Sequence, residues 1–280
     1  MGAALAAGRA LKEGSNMSRL QAVTASKARS RDWRGLALPA AFVVLWWAAV
    51  AWQWVDPRLV PSPAEVARRA WRSVAEPQFG LGVLASLWRH VAGFVLGALA
   101  GAALGLLMGL SRWTERLVGP TFHTLKQISL FAWLPLLATW LGSGDPAKML
   151  FIALSAFYPV ALCSFEGVRQ ISPAQFEVAR VHGFSRRQRL TLLVLPAAAP
   201  QIATGVQLGL VSAWLATIGA EFLLAKQGVG LGDTVIRGRA AFDVPLVIFG
   251  MLVIGTLGAL MNRLAGLLES RVLRWQGPAR

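Results

Sequence analysis

A chain of 280 residues that is 55% hydrophobic, only 15% charged and of positive mean hydropathy is not a soluble domain built round one core. Its formal charge of +15 invites a nucleic-acid reading, but the basic residues are spread as topology signals rather than as one patch. One cysteine, Cys163, excludes an internal disulfide and a cysteine-based metal cluster, and reads as a small buried hydrophobe.

In chain order, residues 1–35 are basic, rich in small residues and without a signal-peptide core, so they read as a disordered cytoplasmic tail, with Met17 a second candidate start. Uncharged runs at 36–55, 91–110, 149–165, 197–220 and 244–262 approach the roughly 17 to 25 residues that a spanning helix needs. A sixth span, 117–142, is interrupted by Lys126 and has a polar first half. The expected fold is all-α, a polytopic membrane protein of about six transmembrane helices, with a permease domain over 36–276 and a short tail at 277–280. Six spans put both termini on one side. That side carries 18 Lys and Arg and the opposite loops 9, which places the termini and the loop 172–196 in the cytoplasm.

Trp46, Trp47, Trp52 and Trp54 crowd the first span as an interfacial belt. Between the first two spans, Val66, Ala70, Trp71 and Val74 recur at helical spacing beside Arg68, Arg69 and Arg72. This segment is either an amphipathic helix on the outer surface or a solvated connector. The second span carries Gly93, Gly97, Gly101, Gly105 and Gly109, four apart, a stripe that admits a neighbouring helix backbone to backbone. Packing within the chain is the expectation and a dimer contact the alternative. In the third span Lys126 keeps company with Thr121, His123, Thr124, Gln127 and Ser129. It either faces a translocation path and attracts an anion or, the preferred role, snorkels to the cytoplasmic headgroups.

The segment 172–196 is a polar interlude written as two capped helices. Ser172, Pro173 and Gln175 provide an N-cap, a first-turn proline and a capping-box partner, and Gly183 provides a stop. Ser185 and Gln188 repeat the box, and Pro196 is read as the end of the second helix. A connection between spans has no need of such rigidity unless it is a docking surface.

Catalytic chemistry finds little support. His90, His123 and His182 show no metal-ligand spacing, and none of the five lysines is followed by Ser or Thr, so a phosphate-cradling loop is absent from the sequence. Gly228, Gly230 and Gly232 do not form a dinucleotide fingerprint and sit in an expected outer loop. Glu166 and Glu221 stand at span ends, which leaves Lys126 as the deep ionisable group and argues against a proton-coupled carrier.

The run Glu177, Val178, Ala179, three spacers, Gly183, nine spacers, Leu193, one spacer, Leu195, Pro196 resembles the EAA motif of importer-type ABC transporter permeases, with Val178 and Leu193 as conservative departures. Val60 to Pro63, Leu110 to Leu117, Leu208 to Glu221 and Leu267 to Trp275 are similar to the nitrate, taurine and aliphatic-sulfonate branch, the sulfonate permeases most of all. The resemblance covers about 37–276 and fails in the basic tail and at Ser129, where that branch typically has proline.

The resemblance implies a bacterial inner-membrane permease subunit that is not an enzyme and acts as a homodimer in contact with membrane lipid. It implies two copies of a cytoplasmic ATPase, which bind the ATP and Mg, and an extracytoplasmic solute-binding protein, with no cofactor in this chain and no nucleic acid partner. The ATPase-coupling residues would be Glu177, Val178, Ala179, Gly183, Leu195 and Pro196. Among them Glu177 would be a polar anchor, Ala179 a flat close-packed face and Gly183 the turn. Arg186, Arg187 and Arg189 either pair with acidic residues of the ATPase or act only as topology signals. The substrate pathway would include Lys126, Ser129, Trp214 and Thr217. A secondary carrier or channel, or a membrane-anchored DNA-binding or scaffold protein, would leave the capped loop unexplained or press its Leu190, Leu192, Leu193 and Leu195 into a groove they do not suit.

Overall fold

The computed structural model describes residues 34–56, 59–224 and 229–272, all helix or connection with no strand among them. Residues 1–33 of the basic tail and the last eight residues lie outside that range. The chain divides into two units, Met1–Ser62 and Pro63–Arg280. The first contains α1 (Arg34–Ala51), which carries Pro39 inside it. Within this unit the Trp46 indole N–H donates to the Pro61 carbonyl at 3.1 Å, and the Trp52 and Trp54 rings lie 5.1 Å apart.

The second unit begins with α2 (Pro63–Ala75), α3 (Pro77–Leu110) and α4 (Arg112–Leu125). A 3₁₀ turn (Leu130–Trp133) leads into α5 (Leu134–Leu141), and α6 follows (Asp145–Arg169). After α7 (Pro173–Val181) come α8 (Arg186–Leu223), α9 (Leu231–Ala240) and α10 (Val244–Val272). Among the described residues α3, α6, α8 and α10 are long and apolar enough to cross a membrane.

Three of these elements differ from the sequence expectation, each for a physical reason. Segment 117–142 is two helical pieces, because α4 ends at a Lys126 cap and the chain turns through Gln127 to Ser129 before α5. The second long helix starts at Pro77, well before residue 91, and so contains Arg89 and His90. Hydropathy stops at those two residues, but both are buried in the bundle and bonded there. Pro196 ends nothing. The residues Arg189–Val194 open into a π-helical stretch in which the Leu195 N–H donates to the Leu190 carbonyl, a widened turn that accommodates proline without breaking the rod. The Thr191 hydroxyl donates to the Arg187 carbonyl at 3.0 Å in the same turn. The second loop helix and the fifth span are therefore one 38-residue helix.

The bundle is organised round α6, whose Phe151, Ile152, Ala156, Val160, Ala161 and Ser164 are buried. The glycine stripe of α3 lies along it in parallel register. A Cβ added at Gly93 would lie 2.8 Å from Ile152 Cβ, at Gly101 2.6 Å from the Phe157 carbonyl, and at Gly109 2.6 Å from Val168 Cβ. At Gly97 and Gly105 the added atom would run into the backbones of Ala153 and Ala161. The neighbour of the stripe is thus a helix of the same chain. On its other side α6 meets α8 in antiparallel register, Gly205 against Cys163 and Gly209 against Val160. Small residues give both contacts the close approach on which helix association in lipid depends. At the near end of α10, Arg69 of α2 ties down the helix start through Asp243, Nε to Oδ2 2.7 Å, and this bond raises the guanidinium pKa above its ordinary value.

Candidate coupling loop and translocation site

The coupling segment joins α6 to α8 at one end of the bundle. Both sequence-predicted capping boxes are formed: Ser172 Oγ accepts from Gln175 N–H at 3.4 Å, and Ser185 Oγ from Gln188 N–H at 3.3 Å. The stop after α7 is a Schellman turn. Gly183 has φ +68, its N–H donates to the Arg180 carbonyl, and the Phe184 N–H reaches back to the Ala179 carbonyl, both at 3.0 Å. Replacing Ser185 by Ala should lower stability by about 1 kcal/mol, read as the unfolding midpoint of the detergent-solubilised protein.

Each coupling residue now has a place. Ala179 is buried within the chain, so it does not present the flat outward face assigned to it from the sequence. The helical repeat turns Ala179 and Phe176 inward while Ala174, Glu177, Val178 and Val181 form the outer ridge. On that ridge Val178 and Val181 are 58% and 85% exposed. Leu195 is partly exposed and Pro196 half-buried on α8. The loop is seated on the bundle by Val168, Ile171, Val194 and Ala198, with Phe176 packed against them.

At the opposite end of α3, α6 and α8 lies a buried polar assembly that sequence reading missed. Arg89 reaches Glu221 Oε1 with Nη1 at 2.8 Å and Asp145 Oδ1 with Nε at 2.6 Å, and Nη1 also donates to the Val229 carbonyl at 3.0 Å. The Ser86 hydroxyl donates to Glu221 Oε1 at 2.7 Å and accepts the Leu231 N–H at 2.9 Å, while Gly232 N–H donates to Glu221 Oε2 at 2.9 Å. The two glycines of this strap have a steric reason, since a Cβ at Gly230 or Gly232 would lie 2.7 Å from the Glu221 side chain. Arg89, His90, Lys148 and Glu221 are all buried in the bundle, whereas Lys126 is half-buried. The available signal was a charge standing where each apolar run begins or ends.

Of the expected pathway residues the structure brings Trp214 and Thr217 together, and neither with Lys126 or Ser129. Trp214 lines a cavity of about 480 Å³ between α8 and α10, and its indole donates to the Ile254 carbonyl at 3.2 Å. A second cavity of about 620 Å³ continues along the same helices, sharing Leu210 and Met261. Thr217 is fully buried and gives its hydroxyl proton to the Ala213 carbonyl at 2.8 Å, so it accepts Nδ1–H from His90 at 3.2 Å. Ser129 is exposed beyond the end of α4. A capped loop thus stands at one end of the bundle, a bonded charge cluster at the other, and the cavities lie along α8 and α10.

Residues 93–274 match the family model described as "Binding-protein-dependent transport system inner membrane component". The chain belongs to this family. It is 32% identical over 243 residues to the putative aliphatic sulfonates transport permease protein SsuC of Bacillus subtilis, covering 87% of each chain. It is 30% identical over 246 residues to the taurine transport system permease protein TauC of Escherichia coli, covering 85% of this chain and 88% of that one. In fold it is similar to the MetNI methionine ABC transporter in inward-facing conformations, with a TM-score of 0.53 at 15% identity over 67% of this chain and 93% of that one. The protein is an ABC importer permease subunit embedded in the membrane, and like its relatives it is a transport protein rather than an enzyme.

Proposed function

We propose that this permease moves a small anionic solute, an aliphatic sulfonate or a related compound, across the bacterial cytoplasmic membrane, driven by a separate ATPase. Two copies of the chain pair in the membrane, in contact with its lipid, on a cytoplasmic ATPase dimer that binds the ATP and Mg. An extracytoplasmic binding protein delivers the solute from the other side. The chain crosses the membrane about six times within 36–276, with both termini cytoplasmic.

The observation that carries this reading is the capped loop with an outward ridge of Ala174, Glu177, Val178 and Val181, continuous with a membrane-length helix. A two-valine ridge exposed to this degree on a rigid polar loop is a surface prepared for a protein partner. The names of the relatives support the sulfonate class.

The test is ATP-dependent uptake of labelled butanesulfonate into vesicles holding this chain with its ATPase and binding protein, for the wild type and Val181→Asp. Val181 is on the surface, so the substitution should leave the unfolding midpoint unchanged to within about 0.5 kcal/mol. A charge placed in the docking ridge should weaken ATPase association by about 2 kcal/mol, or about thirtyfold, and uptake with it. Uptake without ATP, insensitive to the substitution, would instead indicate a carrier.

A further inference from the structure

His90 carries a nitrogen that the fold leaves unused. The ring is fully buried on α3, stacked on Phe94 with centroids 6.1 Å apart and edge-on to Trp214 at 5.3 Å, and these contacts fix its plane. Thr217 Oγ1 spends its own proton on the Ala213 carbonyl and therefore accepts Nδ1–H from the ring. A neutral imidazole held in this way has a bare lone pair on Nε2. Among the described residues Nε2 has no hydrogen-bond partner, although it is buried.

The same histidine stands in the wall of the cavity of about 480 Å³ between α8 and α10, a volume within the roughly 300–1,000 Å³ of small-molecule pockets. Much of that wall is apolar, with Trp214, Ile218 and Ile254 among it. Its other polar side chains are spent or exposed: the Trp214 N–H donates to the Ile254 carbonyl, and Asn262 is exposed. An acceptor left unpaired in such a wall is costly, and a ligand that brings a donor removes the cost. A lone water is a poor answer, since it needs about two to four polar partners and Nε2 supplies one. A sulfonate is a worse one, because it presents acceptors to an acceptor. Val211 and Leu215 of the same wall are 45% and 67% exposed on a membrane-length helix, so a molecule dissolved in the bilayer can reach the cavity.

We propose that this cavity is a binding site for a small, mostly apolar molecule bearing one O–H or N–H group, with its body against Trp214 and Ile254 and its donor on His90 Nε2. The shared chemistry fits two sources, an alcohol or phenol arriving from the membrane and a hydroxylated solute on its way through. The site does not depend on the sulfonate reading above and stands whichever solute is carried.

The experiment follows His90 by nitrogen NMR in the full chain, held in lipid nanodiscs and grown on isotope-labelled histidine. Replacing the two exposed histidines, His123→Gln and His182→Gln, leaves His90 as the single labelled residue, and surface changes of this kind are close to neutral for stability. The spectrum should show the Nδ1–H tautomer with Nε2 bare. Phenol should shift the Nε2 resonance and saturate. Toluene, of the same shape without the donor, should compete about fivefold more weakly at equal bilayer concentration, the worth of one hydrogen bond. Adding 2-hydroxyethanesulfonate separates the sources: a shift by phenol alone makes the ligand membrane-borne, a shift by the sulfonate alone makes it the solute, and a shift by both admits either. A resonance that neither donor moves, toluene binding as tightly as phenol, or a proton already on Nε2 overturns the proposal.

Discussion

Replacing Glu221 by alanine should destabilise the permease by about 3–5 kcal/mol. The carboxylate accepts from Arg89, Ser86 and the Gly232 N–H, and it is 2% exposed. Its removal leaves a buried guanidinium with Asp145 as its remaining carboxylate, and strips the strap 229–232 of the group it wraps. Glutamine keeps the shape and the acceptor for Ser86 or Gly232 but loses the charge, so Glu221→Gln should cost less, about 1–3 kcal/mol. The ordering wild type, Gln, Ala in unfolding midpoint is the result that checks this. Equal midpoints for all three would show that the ion pair contributes nothing net to stability.

Gly97→Val is expected to have a comparable effect through packing alone. The added Cβ would enter the backbone of Ala153, which belongs to the central helix and cannot move without disturbing α8 on its other side. Overpacking of a well-filled core costs about 1–3 kcal/mol, and a clash with backbone stands at or above the top of that range. Gly255→Val, on α10 with open space around it, is the control and should be tolerated. The measurement is the folded yield and unfolding midpoint of both variants in detergent. Similar behaviour of the two would mean that α3 and α6 are not packed as described.

What could be read from the chain without coordinates was the local chemistry. Ser172 with Gln175, Ser185 with Gln188, and Gly183 each act on residues within a few positions, so the two loop helices and their caps were legible. The glycine stripe was legible as a demand for close approach, but which helix answers it is a long-range fact. The ion pair of Arg89 with Glu221 joins residues 132 apart, and no pattern along the chain links them. Hydropathy in fact argued against it, because a paired charge looks locally like an unpaired one. Pro196 misled for the opposite reason. The local rule for proline is sound, but a π-helical turn before it met the same constraint without ending the helix. The inward turn of Ala179 was hidden because a motif names residues and not the side of the helix they occupy.

The single helix from Arg186 to Leu223 has a mechanical meaning. At 1.5 Å per residue it is a rod of about 57 Å, held at three levels: Val194 and Ala198 against Val168 near one end, Gly205 and Gly209 against α6 in the middle, and Glu221 bonded to Arg89 near the other. A rod seated on one neighbour along its length moves with that neighbour as one body. Sideways force at the Arg186 end should therefore reach the Glu221 end through α6 and α8 together, as one displacement of the pair rather than the bending of a single helix.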